Sequence, residues 1–168
     1  MNVLIRITIA ALAICSASAS DIAPPLDAID RDFAEKANQG GLFEIRSSEL
    51  AIKRGMGTSD NAVAQQMIDD HTAANLALGA LAAKKGVTLS AIPDRAHQAL
   101  IDQLGTVTDK QFAKAYLAQQ LKAHTSAIAL FSDESTGGRD SDMRTFAGTT
   151  LPTLRIHLAH VMNAIDKE

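Results

Sequence analysis

From Asp30 to the C-terminus, four long stretches repeat apolar side chains at intervals of three and four residues. Each of the first three is closed by a glycine signal: Gly55-Met56-Gly57, Gly86 and Gly137-Gly138. That spacing marks one face of an α-helix, and glycine is the usual residue just past a helix end. It predicts helices over 30–54, 60–85, 109–135 and from 141 to the C-terminus, with Thr58 or Ser59 capping the second. Pro93-Asp94 opens a short helical piece over 95–104, and Pro152 predicts a kink or a fresh first turn in the last helix. The chain has no Trp, one Tyr and five Phe. Few aromatics among many alanines suit closely packed helices better than a sheet. The expected fold is all-α, a ferritin-like four-helix bundle with one long middle connection. An up-down-up-down bundle, with the short helix lying across one end, is the other arrangement the connections allow.

The N-terminus reads differently. Arg6 precedes an apolar run, Ile7 to Ile14, and Ala17-Ser18-Ala19 follows. One early charge, a short apolar stretch and an A-x-A exit describe a secretory signal peptide. The stretch is shorter than the ~20 residues of a spanning helix, so no transmembrane anchor is expected. Cys15 follows Ile14 rather than the small residue a lipoprotein signal needs, so cleavage near Ala19 is expected to remove it. A mature chain without cysteine relies on packing, not disulfides. The layout is thus a signal peptide over 1–19, a linker over 20–29 containing Pro24-Pro25, and a helical bundle over 30–168. Periplasmic or secreted localisation follows. Losing Arg6 and no acidic residue takes the net charge from −3 to −4. An acidic domain of this kind is not suited to nucleic acid.

Helical wheels give each helix a wet and an apolar side. On the first, Arg46, Lys53 and Glu35 oppose Phe33, Ala37 and Ala51, and Glu44 sits at the centre of the apolar side. The second buries Met67, Leu78 and Leu81, with His71 among them. The third buries Phe112, Tyr116 and Phe131, together with Gln120, His124 and Glu134. The fourth buries Leu154, Leu158 and Val161, with His157 in the stripe. At 1.5 Å per residue, counted from the turns, Glu44, His71, His124 and His157 fall within about one turn of the same level. Such a set suits a divalent transition metal, with Asp70, Gln120 and Glu134 in supporting positions, since imidazole serves zinc, copper, iron and nickel. With reference pKa values near 6.5, the imidazoles would be largely protonated at pH 5.5, which predicts a metal response stronger at pH 7.5. The same residues also suit a polar layer that binds no metal and only fixes helix register in a structural or envelope-interaction module.

Other features narrow the choice. The residues three before His71, His124 and His157 are Ile68, Leu121 and Leu154. The Glu-x-x-His motif of di-iron bundles is therefore absent. No nucleophile–base pairing or phosphate-binding loop appears, so no catalytic residue is assigned. An enzyme would need the same histidines around an open metal position. His97 falls in the middle connection as a surface residue, and His160 near the C-terminal end of its helix suits the helix dipole.

Taken together, Phe33…Ala37…Gly40-Gly41…Glu44, Met67-Ile68-Asp69-Asp70-His71, Phe112…Tyr116-Leu117…His124 and Leu151-Pro152…His157-Leu158 resemble domain-of-unknown-function family 4142. The resemblance covers about residues 30–165. It implies exported bacterial proteins with a ferritin-like helical fold, and it supplies no activity, substrate or metal. Ala123 stands where the family usually has a charged residue. Family members are often labelled outer-membrane proteins, but this sequence carries no β-barrel pattern.

Overall fold

The computed structural model describes residues 25–167, so the signal segment and the first half of the linker lie outside the described residues. Its helices are α1 (Ala28–Arg54), α2 (Thr58–Lys84), α3 (Arg95–Gly105), α4 (Asp109–Gly137) and α5 (Ser141–Ile165). Asp27 starts α1 because its carboxylate accepts hydrogen bonds from the Ile29 and Asp30 amides, satisfying donors that a helix start leaves open. The helix therefore begins at Ala28, ahead of the expected Asp30, and Leu26 before it is already in the core. Gly55 ends α1 with φ of 69°, a left-handed conformation that favours glycine. The next helix starts directly after Gly57, with no side-chain cap. Within α5 the helix runs on through Pro152. The carbonyl that proline leaves without a donor belongs to exposed Gly148, where water can take the bond.

Contacts at the two ends decide the topology. Arg54, at the end of α1, reaches Asp109 at the start of α4 at 2.6 Å and the carbonyl of Val107 at 2.7 Å. At the opposite end, Lys85 follows α2 and meets Asp140 at 2.7 Å and Asp142 at 2.8 Å, both at the start of α5. Asp30, near the start of α1, accepts from the Arg139 and Asp140 amides. The end of α2 and the start of α4 therefore lie at opposite ends of the bundle, and the two helices run parallel. Up-down-down-up with one full-length crossover is the ferritin-like arrangement.

The crossover climbs along α1. Asn38 donates to the carbonyl of Ser90 at 2.9 Å, the Asp94 amide donates to Gln39 at 2.6 Å, and the rings of Phe43 and His97 lie 5.9 Å apart. α3 packs against α1 and α4 rather than across an end. Around the bundle the order is α1, α2, α5, α4.

The core is split. One apolar cluster joins Leu26, Phe33, Leu78, Val87, Phe131 and Leu154; another joins Ala51, Met67, Leu104, Phe112, Tyr116 and Val161. On each long helix one buried Glu or His lies between these sets: Glu44 on α1, His71 on α2, His124 on α4 and His157 on α5. A polar layer thus divides two hydrophobic halves. Beside it Gly41 of α1 makes room for the side-chain amide of Asn75 from α2, with which a β-carbon would collide.

A candidate metal centre

The layer is built from the side chains that helical register turns inward. His71, His124 and His157 are buried, with ring centroids 5.5, 5.2 and 5.3 Å apart. One ring nitrogen from each lies within 4.8 Å of the others. The outer nitrogens are held. His124 Nδ1 is 3.0 Å from the carbonyl oxygen of Gln120, one turn earlier on α4. His157 Nε2 is 2.8 Å from Asp70 Oδ2 on α2. His71 Nδ1 is 3.0 Å from Glu44 Oε2, and the other oxygen of Glu44 is 3.3 Å from His124 Nδ1.

These partners fix the tautomers. A carbonyl and a carboxylate only accept, so His124 carries its hydrogen on Nδ1 and His157 on Nε2. The nitrogens left over, His124 Nε2 and His157 Nδ1, face each other at 3.3 Å. In the neutral rings both present lone pairs. His71 Nε2 is buried beside them without a hydrogen-bond partner. Facing lone pairs repel unless a donor or a cation stands between them. A proton is a poor candidate, because burial pushes His124 down to about 4. His157 is lowered too, chiefly by burial and against the pull of Asp70. His71 is held well below its ordinary value by burial and then by the other two rings. A metal ion fits better. Zinc–nitrogen bonds of 2.0–2.1 Å in a tetrahedron separate ligand nitrogens by about 3.3 Å, the spacing of the His124–His157 pair, and a nitrogen of His71 lies within 4.8 Å of both.

Glu44 stands behind two of the rings, not among the converging nitrogens. Burial pushes its carboxyl up to about 8, so it carries a proton at neutral pH. Asp70 orients His157, as its place beside His71 on α2 suggested. Gln120 contributes its backbone carbonyl to His124, and its side chain donates to Ser47 Oγ at 2.9 Å. Ser47 and Ser48 are fully buried members of the layer that wheel analysis passed over, although both lie one turn from Glu44 on the same face. Ser48 is hydrogen-bonded to the Tyr116 hydroxyl at 2.8 Å. Glu134 is not brought to the site. It lies ten residues beyond His124, about 15 Å along the helix, where it meets Asp30. His160 is exposed and contacts Gln66 at 3.0 Å. His97 is partly exposed and pairs with Asp94, which caps α3.

The lowered imidazoles change the expected cause of pH dependence. At pH 5.5 the folded-state His124 is still neutral, so protonation of that ring does not supply the pH dependence. The proton on Glu44 bears on the site differently: the carboxylate accepts from a His71 Nδ1–H, whereas the acid can donate to Nδ1 and leave the ring's hydrogen on the inward Nε2.

The family model described as a domain of unknown function, DUF4142, matches residues 15–164. The chain belongs to the DUF4142 family. No curated protein matches its sequence. It is similar to the crystal structure of a DUF305 fragment from Deinococcus radiodurans, with a TM-score of 0.76 and 14% identity over 86% of this chain and all of that one. At that identity the likeness concerns the fold. This DUF4142 member is thus a ferritin-like bundle with a buried three-histidine cluster. Among the described residues, no helix is long and apolar enough to cross a membrane.

Proposed function

We propose that this DUF4142 protein is an exported metal-binding bundle that holds one divalent transition metal at mid-height. His71 Nε2, His124 Nε2 and His157 Nδ1 are the protein ligands. Glu44, the Gln120 carbonyl and Asp70 hold the outer nitrogens, an arrangement that orients metal-bound imidazoles and raises their basicity. Read from sequence as a fourth ligand, Glu44 takes an outer role here, with its ionised carboxylate balancing charge beside the metal. The observation that carries the proposal is the pair of ring nitrogens facing each other at 3.3 Å, both left as acceptors by the partners of their outer nitrogens, with a third unpartnered nitrogen in the cluster. A register-fixing polar layer would bring donors to acceptors, as Ser48 and Tyr116 do. Three imidazoles favour zinc, copper or iron over calcium and magnesium. Export rests on the signal-like N-terminus: cleavage near Ala19 would leave a linker of 20–29 ahead of the bundle and put the protein in the periplasm or medium.

Elemental analysis of tag-free protein, with thermal unfolding in zinc, copper(II) or iron(II), tests the metal. Stoichiometric metal and an upward shift of the midpoint are expected, with stabilisation of about 2.7 kcal/mol at a hundredfold excess over the dissociation constant. No gain from any of the three metals at pH 7.5 would leave the register-fixing layer as the better account. N-terminal sequencing of protein recovered after export tests processing, with Ser20 as the expected first residue.

A further inference from the structure

A buried trio must be reached, and the bundle offers two approaches. The first is a cleft of about 850 Å³ between the lower halves of α1 and α4, walled mainly by apolar side chains such as Leu78, Leu130, Phe131 and Phe146, with Glu44 and His71 at its inner end. The second lies in the groove between α2 and α5. Gln66 and Asp70 are one turn apart on α2, and His157 and His160 are one turn apart on α5, so each pair shares a face. Across the groove they form two rungs, Gln66 with His160 at 3.0 Å and Asp70 with His157 at 2.8 Å.

Dehydration decides between them. A hydrated dication loses its water only where fixed polar groups replace it; the cleft's carboxylates Asp32, Glu35 and Asp94 are exposed, and the mostly apolar wall between them and the trio replaces little of it. Asp70 can. Its side chain is 42% exposed, yet one of its oxygens touches a ring whose other nitrogen faces the trio. It spans the distance from solvent to site in one residue. The exposed imidazole of His160 stands one turn away as a second donor, held by Gln66. We propose that Asp70 and His160 form an outer capture site for a hydrated divalent transition-metal ion and pass it to His157 and the buried trio. This rests on the metal-binding reading of the trio and adds the route by which the ion enters and leaves.

Cobalt(II) is the probe, since nitrogen ligation changes its visible absorption. Uptake by tag-free protein is followed by stopped flow, and release by mixing with excess EDTA. Asp70→Asn keeps a side chain able to hydrogen-bond but removes the charge, and uptake is expected to slow about tenfold. His160→Ala should slow uptake and release by a similar factor and leave the affinity unchanged, as expected of a gate outside the final site. Ser126→Phe, which places a ring at the mouth of the apolar cleft, should leave uptake at the wild-type rate. Unchanged uptake in both Asp70→Asn and His160→Ala, or slowed uptake in Ser126→Phe, would overturn the route while leaving the trio as a metal site. Absence of any cobalt spectrum in wild-type protein would remove the metal reading itself, and the capture site with it.

Discussion

Two buried polar groups in this bundle look alike in sequence and differ in chemistry. At mid-height, Glu44 stands behind three imidazoles, two of which point lone pairs at each other. At one end, Asp30 and Glu134 lie together where α1 meets the corner between α4 and α5. Both sets contain a carboxyl raised by burial, Glu44 to about 8 and Glu134 to about 7, the latter helped by its neighbour Asp30. Asp30, however, gives one oxygen to the Arg139 amide at 2.7 Å and the other to the Asp140 amide at 3.0 Å. Both of its oxygens are thus engaged by the backbone of the corner, and Glu134 hydrogen-bonds to it as well. Burial of polar groups therefore does not make a metal site. What separates the two sets is convergence: at mid-height one ring nitrogen from each of three histidines lies within 4.8 Å of the others, whereas at the corner Asp30 is held by backbone amides and Glu134 Oε1 alone of the pair lacks a partner.

The contrast breaks most visibly at Asp30. Asp30→Ala leaves two partly buried amides without an acceptor, at about 1–3 kcal/mol each, so urea denaturation should show a loss of about 2–6 kcal/mol. The metal-induced shift should survive in this variant. Loss of that shift would mean that the two regions are not independent. The converse holds at mid-height: His71→Ala and His124→Ala should each lose most of the roughly 2.7 kcal/mol gained at hundredfold metal excess, and His97→Ala should keep it. Both buried variants also lose apo stability through cavities and orphaned partners, so the metal-dependent difference is the quantity to measure.

Proton counting sharpens the comparison further. Metal binding at pH 7 should release about one proton, because Glu44 is protonated without metal and ionised behind a metal-bound His71. Calorimetry in buffers of different ionisation enthalpy measures it, and Glu44→Gln should bring the release close to zero. The smallest effect belongs to Glu134. Its folded pKa is raised, so the stability it contributes is complete below its unfolded value near 4.3 and is lost as pH rises through about 7. Glu134→Gln should therefore gain on wild type between pH 5 and 8. Taking the difference between the two proteins cancels Glu44 and the histidines at their distant site. A difference that does not vary with pH would show that Glu134 is not protonated in the fold.

Much of this was legible in the sequence. The expected helices match the observed ones to within about two residues at most ends, because periodicity, glycine stops and caps act locally. The shift at Asp27 came from reading Pro24-Pro25 as the start of a longer linker, when an aspartate two residues later could cap. Glu44, His71, His124 and His157 are all buried at one level, as wheels and residue counting indicated. Glu134 shows the limit of a wheel, which reports the face a residue occupies but not its height. Ten residues beyond His124 already placed it two to three turns away.

By itself the sequence determined an all-helical chain, the inward face of each helix and the common level of one glutamate and three histidines, since each follows from the 3.6-residue repeat of a single helix. Tertiary structure alone decided that α2 and α4 run parallel, because a connection over 86–108 can cross one end or climb the whole bundle, and only the pairing of Arg54 with Asp109 and of Lys85 with Asp140 selects the climb. It also decided which nitrogen of each histidine faces inward. That choice depends on acceptors contributed by other helices, Asp70 for His157 and Glu44 for His71, and no periodicity within one helix contains it.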